Sequence, residues 1–426
     1  MNQRFSTVFS SVQWMFFIFV NTIVTPISIA AAFNISDEST AIMLKTSLLL
    51  TGLLCIFQGL YGHKYPIMDG HSALTWGLML NLVMSASSLG LSLTEIGGGI
   101  TTGILLASAV TLLLVTFNGI PLIKWIFSHM VISVSLFLLF FQLVFIFFGQ
   151  IFVFNEDGSL YMGATLLSVV IILLVLILKV KGNTLISNFS ILIGLIVGWI
   201  LFAIFFDQGN NTMVTPSLFA FELFPLGAPN LQWGIIAVSF FAGLLNISNT
   251  VSTVVTGEEI YKDKRNDWDY RRSIFVITLF TIIGSGFGLV SYSSYTSAVG
   301  FLHSTRIYDR KPYLIGGALV VLISCIPPLT GFLSTLPMSI GSAVLLVAYL
   351  QLFGTAYSSL NSQTFNSNTI LRLVVPITVG LGLMNIDPAT FSNLPVLVQP
   401  FITNGLIMGI LVSIVIEKVI DWKKYE

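Results

Sequence analysis

Long apolar windows alternate with short polar connections from one end of this chain to the other. Windows of about 20 residues or more, enough to cross a bilayer as a helix, lie near 11–33, 40–61, 92–116, 121–150, 160–180 and 185–206. The second half repeats the pattern near 231–256, 272–290, 312–330, 336–355, 367–385 and 396–419. Two more segments are apolar but broken. Tyr65–Thr75, YPIMDGHSALT, carries Pro66, Asp69, Gly70 and His71 inside an apolar context. Ser291–Gly300, SYSSYTSAVG, follows the greasy run Ile274–Val290 and holds four serines, a threonine and two tyrosines. Backbone in hydrocarbon must be hydrogen-bonded internally, so a polar interruption at membrane depth survives only when buried in protein or lining a wet cavity. Paired broken segments at corresponding places in two halves point to the substrate site of a secondary transporter.

Counting the broken segments, near 65–84 and 291–306, gives fourteen spans. Lysine and arginine test that count, because cytoplasmic loops carry the excess. With the N-terminus inside, alternate loops hold Lys64; Lys124; Lys179 and Lys181; Lys262, Lys264, Arg265, Arg271 and Arg272; Arg306, Arg310 and Lys311; and Arg372, and the C-terminus adds Lys418, Lys423 and Lys424. The opposite loops hold Asp37, Glu38, Glu156, Asp157, Asp207, Glu222 and Asp387. Of eighteen basic residues only Lys45 falls on the wrong side. Both termini are therefore expected in the cytoplasm. The first apolar run, Ser11 to Phe33, is longer than the roughly 7–15 residues of a signal-peptide core and is read as a retained span.

Local echoes indicate a repeat. Gln13-Trp14 answers Gln232-Trp233, Ser72-Ala73 answers Ser297-Ala298, and the GxxxG pair Gly194/Gly198 answers Gly405/Gly409, at offsets of 219, 225 and 211 residues. Three echoes in one order near one offset mark an internal duplication. Seven spans per copy is an odd number, so the second copy enters the membrane from the other side. The expected fold is an all-α polytopic membrane protein, a seven-plus-seven inverted repeat with residues 1–210 as the first copy, 211–230 as an extracellular link and 231–426 as the second. The glycine pairs have two readings, helix dimerisation or close packing within one protomer, and the second is preferred.

Composition sharpens the class. Hydrophobic residues make up 55% of 426 and charged ones 8%, with mean hydropathy +0.94, against about one quarter charged in a soluble domain. Zero net charge gives no footing for nucleic acid. Cys55 and Cys325, both in apolar windows, build neither a disulfide framework nor a metal site and are read as core residues. No ATP-binding loop or catalytic motif is present, so an enzyme or a self-driven pump is not expected, and neither is a cofactor.

Polar residues inside spans are the candidates for chemistry. In the eighth span Asn246, Asn249 and Thr250 share one helical face by their spacing of three and four, and amides in hydrocarbon are costly unless partnered. Substrate contact and interhelical hydrogen bonding are both open for them. Asn21 in the first span invites the same argument. Asp69 and His71 are ionisable groups in a broken segment, a functional hypothesis by default, with a structural hydrogen-bonding role as the alternative.

These residues resemble the nucleobase–cation symporter-2, or xanthine/uracil permease, family over nearly the whole chain. The markers are Gln13 with Asn21–Pro26, the run Gly62–Ser72 with its Pro66 and Gly70, Ser294–Gly300 beside a family T-Y-x-E-N-x-G, and Thr335-Leu-Pro-Met leading to Gly341. The resemblance implies a core domain of segments 1–4 and 8–11, a gate domain of segments 5–7 and 12–14, and short antiparallel strands in segments 3 and 10. It implies a plasma-membrane permease for a nucleobase such as uracil or xanthine, coupled to H⁺ or Na⁺, with a homodimer through the gate as the expected assembly. Residue by residue, Asn246 stands near the family's acid of segment 8, Ser297 at its acid or amide of segment 10, Ala73 where an aromatic often stacks, and Trp14 where histidine is common. The binding set expected is Asn246, Asn249, Thr250, Asn21, Ser72, Ala73, Tyr295, Thr296 and Ser297. With both usual carboxylates missing, proton coupling is expected to use Asp69 or His71. A sulfate- or bicarbonate-type transporter on the related seven-plus-seven fold and a transport-inactive receptor are the alternatives; the expected pocket contains no lysine or arginine to hold an anion.

Overall fold

Helix starts are written into the chain as Ser or Asn followed by an apolar run, and in the computed structural model those side chains cap the helices they precede. Ser36, Ser72, Ser92, Asn183, Asn266, Asn366 and Asn404 each accept a hydrogen bond from the backbone N–H three residues on, satisfying donors that a helix start otherwise leaves orphaned. Ser92 and Glu95 complete a reciprocal capping box,. The structure describes residues 3–117, 119–154, 157–206, 214–295, 297–360, 366–395 and 397–422. Thr296, Glu156, Asp207, Lys423 and Lys424 lie outside the described residues.

The principal elements are α1 (Gln3–Ala32), α2 (Asp37–Leu60), β1 (Asp69–His71), α3 (Ala73–Met84), α4 (Leu93–Thr116), α5 (His129–Ile151), α6 (Met162–Lys181) and α7 (Thr184–Phe205). The second half contributes α8 (Trp233–Tyr261), α9 (Asp267–Gly286), β2 (Tyr292–Ser294), α10 (Ser297–Thr305), α11 (Arg310–Ser324), α12 (Met338–Ser358), α13 (Ser367–Met384) and α14 (Gly405–Val419). Among the described residues eight helices are long and apolar enough to cross a membrane, or nine if a bent pair is one span. Both broken segments contain a strand of three buried residues followed by a short helix.

The window 312–330 departs from a straight span. After α11 the chain turns by 91° into a short helix, Pro327–Leu333. Two prolines begin that helix; Pro327 supplies no N–H to continue α11 and pushes Ile326 into extended backbone, φ −111°, ψ 89°,. Cys325, expected in the apolar core, is instead exposed at this bend, while Cys55 is buried as expected.

The chain divides into two compact units, each drawing on both halves of the sequence. The first comprises Met1–His71, Leu143–Leu223 and Ser297–Leu350. Here α1, α2 and α11 pack closely because small residues meet: a Cβ on Gly52 would lie 2.8 Å from the Gly317 carbonyl oxygen, and one on Gly316 2.7 Å from Trp14 Cβ. Trp14, fully buried, sits edge-on to Phe301 and Tyr313 at 4.6 and 5.0 Å between centroids. Gly194 and Gly198 of α7 pack on Val175 and Ile171 of α6 and Val344 and Ile340 of α12, so this pair serves packing within one protomer.

Lys45, the exception to the charge rule, also belongs to the first unit. It is buried in α2, and its ammonium donates to the carbonyls of Ser217 and Leu218, at 3.2 and 2.9 Å, and of Ala220, with the Phe221 ring 4.3 Å away. It is a clamp on the Ser217–Ala220 stretch and not a loop lysine.

The second unit comprises Ser72–Gln142, Phe224–Thr296 and Gln351–Glu426. Here α4 packs along α8 and α9, and the run Gly97–Gly99 lets the link approach: Cβ atoms on Gly97 and Gly98 would lie 2.1 and 2.0 Å from the Leu226 and Ala228 carbonyl oxygens. Gly405 and Gly409 of α14 press on Gly380 and Pro376 of α13 and on Leu138 of α5. Arg372, counted from sequence as a loop cation, is buried within α13 and paired with Glu417 of α14.

Candidate functional site

The polar stripe of α8 has somewhere to go. Asn246, almost fully buried, accepts a hydrogen bond from Ser72 Oγ on Oδ1 at 2.6 Å and donates from Nδ2 to the Tyr292 carbonyl at 2.7 Å. A carbonyl can only accept, which fixes the orientation of the amide. Two turns further along α8, Thr253 Oγ1 donates to the Ser294 carbonyl at 3.3 Å. From α9, Thr281 Oγ1 accepts the Tyr292 N–H at 3.0 Å, and the Ser72 N–H donates to the Ser291 carbonyl at 2.7 Å. The second broken segment therefore has side chains of α8 and α9 and the backbone before α3 to meet its exposed peptide groups, the bookkeeping that non-helical backbone requires inside a membrane protein.

The same residues border a small cavity of about 30 Å³, lined among others by Thr111, Asn246, Thr250, Thr278, Thr281 and Ser291. That is room for about one water molecule. Ser291 Oγ is buried there without a hydrogen-bond partner among the described residues. No charged side chain lines it.

Of the residues singled out from sequence, the second unit brings together Ser72, Asn246 and Thr250, with Ala73 half-buried as the first residue of α3 and Tyr295 half-buried just after β2. Asn249 is half-buried and does not line this cavity, so the shared face inferred from spacing splits at the level of contact. Ser297 opens α10 in the first unit, and Thr296 lies outside the described residues. Asn21 lies in the first unit, where its Nδ2 donates to the Phe17 carbonyl at 2.8 Å and it lines a second cavity of about 30 Å³ with Gln13, Phe17, Phe189 and Phe301.

Asp69 and His71 are both buried but have different partners. His71 Nε2 is 2.6 Å from Ser47 Oγ of α2, whereas Asp69 Oδ2 is 3.0 Å from His63 Nε2. His63 was missed in the sequence because it precedes Pro66 and stands just outside the broken segment. A histidine six residues before a buried acid, in a connection two to three residues past the end of an apolar helix, is the signal that was available. No group of three His, Cys, Asp or Glu side chains among the described residues converges on a metal position.

Chemically, the Asn246 region is neutral and rich in paired donors and acceptors. After its two bonds Asn246 retains one N–H and one oxygen lone pair, Thr250 offers a hydroxyl, and the first N–H groups of α3 have no intrahelical partners. Such an edge suits a planar, uncharged ligand carrying amide-like groups.

Comparison with known proteins points the same way. A family profile described as "Permease family", of the xanthine and uracil permeases, matches residues 5–388. A Bacillus subtilis protein, YwdJ, provisionally named a purine permease, is 25% identical over 98% of this chain and 96% of its own. The uric acid transporter UacT of Escherichia coli is 20% identical over 95% of this chain and 84% of its own, and the uracil permease of the same species is 31% identical over 43% of each. Among solved structures, the transmembrane domain of the cyanobacterial bicarbonate transporter BicA superposes with a TM-score of 0.60 at 11% identity, covering 97% of this chain and 98% of that one. The murine anion transporter Slc26a9 gives 0.61 at 11% identity, over 96% and 68%. These two likenesses concern the fold.

Proposed function

The chain belongs to the xanthine/uracil permease family, the nucleobase–cation symporter-2 family, and from that premise we propose that it is a secondary active transporter of a nucleobase. The observation that carries the reading is the Asn246 amide, fixed between Ser72 and Tyr292 where α8, the start of α3 and β2 converge. Its remaining N–H and lone pair, with Thr250, Tyr295 and the amide of Ala73, would meet the oxygens and ring N–H groups of a pyrimidine or purine base. Asn249 is assigned a supporting contact on the same reading. Among the described residues no lysine or arginine lines the cavity.

On this proposal the fourteen segments form two inverted copies of seven, segments 1–4 and 8–11 act as the core and segments 5–7 and 12–14 as the gate. The protein works in the plasma membrane with both termini cytoplasmic, as a homodimer through the gate, and couples transport to a cation. The likeness to bicarbonate and anion transporters is one of fold and supplies no anion site.

The test is uptake of radiolabelled uracil, xanthine and uric acid into proteoliposomes. At least one base is expected to accumulate above empty liposomes, and Asn246→Ala is expected to raise the apparent KM by about 5- to 150-fold, the range of losing a buried hydrogen-bonding group worth about 1–3 kcal/mol. No uptake of any of the three, beside uptake of bicarbonate or sulfate, overturns the reading.

A further inference from the structure

We propose that the buried His63–Asp69 pair is the proton-carrying site that couples transport; this rests on the permease reading and adds to it the residues that take the proton. The two side chains are fully buried and 3.0 Å apart in a chain with only 8% charged residues. An ionisable pair is costly inside such a protein, and its retention marks a function more often than stability.

The hydrogen bonds define its resting state. His63 Nδ1 accepts the Tyr65 backbone N–H at 3.1 Å, so that nitrogen carries no proton. Nε2 therefore carries it and donates to the Asp69 carboxyl group, leaving a neutral imidazole,. A proton entering the pair has two places to go. It goes to the Asp69 carboxyl group, beside which Tyr313 lies, or it protonates His63 Nδ1, which turns an acceptor into a donor facing the Tyr65 N–H and breaks that bond. The second route acts on a tight piece of backbone: Lys64, between the two bonded residues, is held at φ +63°, and Pro66 follows. Three residues after Asp69 comes Ser72, which bonds Asn246. Charge at the pair and backbone at the site are thus linked through one short stretch of chain.

The other titratable groups facing the pair are known. Cys55 of α2 donates to the Asp69 carbonyl at 3.3 Å, and Tyr313 of α11 lies beside Asp69 and Cys55. Tyr65 stacks on His63 at 6.2 Å, and Arg310 of α11 directs a guanidinium N–H to the Gly59 carbonyl at 3.1 Å. Lys64 belongs to the same connection, His71 is bonded to Ser47, and α1, which also packs on β1, carries no titratable residue from 5 to 32. Of these, Asp69 and His63 are the two bonded acid and base, while His71 is engaged with a hydroxyl; this selects between the two carriers that the sequence left open.

The experiment uses the full chain in proteoliposomes with radiolabelled uracil, xanthine and uric acid, in two modes: accumulation driven by an inward proton gradient, and counterflow without a gradient. Asp69→Asn is expected to lower gradient-driven accumulation about tenfold or more, the scale of a typical coupling free energy, while counterflow stays within about threefold. His63→Gln, an isosteric donor that does not titrate, is expected to flatten the dependence of accumulation on external pH. Accumulation by Asp69→Asn that still follows the gradient overturns the proposal, and so does equal loss of both modes in both variants, which would make the pair structural. Failure of the unaltered protein to move any base in either mode instead overturns the permease reading itself.

Discussion

The guanidinium of Arg372 meets Glu417 side by side, Nε to Oε1 at 2.7 Å and Nη2 to Oε2 at 2.9 Å, with Ser128 Oγ also reaching the carboxylate and Trp422 under the guanidinium. Removing one partner strands a buried charge, at a cost of about 3–5 kcal/mol, whereas replacing both with apolar side chains can be close to neutral. Arg372→Ala and Glu417→Ala are each expected to lower the thermal midpoint of the detergent-purified protein sharply, and Arg372→Met with Glu417→Leu to recover most of the loss. Equal stability of single variants and parent would show that the pair is not held as described. For Lys45→Met, the Ser217, Leu218 and Ala220 carbonyls lose their common donor, expected to cost about 1–3 kcal/mol and to open the link to proteolysis. Neither partnership was legible in the sequence: the acid that meets Arg372 is 45 residues away and the carbonyls that meet Lys45 are more than 170 away. A charge read locally looks like a loop residue, and only the fold supplies its counterpart.

At the scale of elements, the sequence was most informative where it broke its own pattern. Asp69–His71 and Tyr292–Ser294 are strands because glycine, serine and acid interrupt apolar runs there, and Ser72 and Asn246 were identifiable as polar groups in need of partners. Which partner each would take was not identifiable, since Asn246 is 174 residues from Ser72. The bend before Pro327 was written in a Pro-Pro dipeptide but masked by the surrounding greasy window. Helix packing depends on glycines in a way that can be tested by contrast. A methyl group on Gly98 of α4 meets backbone at 2.0 Å, whereas one on Gly149 of α5 meets nothing within 4 Å. Gly98→Ala is expected to abolish the monodisperse peak in size-exclusion chromatography, because the backbone of Ala228 cannot yield. Gly149→Ala is expected to be neutral or to stabilise by up to about 1 kcal/mol through helix propensity. A well-behaved Gly98→Ala protein would mean the link does not lie against α4.

For the whole molecule, the distribution of lysine and arginine makes a claim about sidedness that labelling can check. In a background with Cys55 and Cys325 replaced by serine, single cysteines at the exposed positions Glu38 and Asp157 are expected to react with a membrane-impermeant maleimide on intact cells. Cysteines at Lys181 and Lys264 are expected to react only after permeabilisation. Protection at Glu38 together with reaction at Lys264 would invert the orientation, and mixed results within one set would remove the count of fourteen.

The stretch from Ser217 to Ala228, before α8, is fastened at two places. Lys45 holds its Ser217–Ala220 stretch to α2, while Gly97 and Gly98 receive Leu226 and Ala228 on α4. Phe219 projects into solvent beside the first fastening, 83% exposed, and Ala228 is exposed at the second. A pair of spin labels at these two positions would form a ruler whose ends each ride on a different anchor helix, far in sequence from Asp69. Its length, followed by pulsed electron resonance while a base and a proton gradient are added in turn, would report the working cycle without altering any group that handles either one.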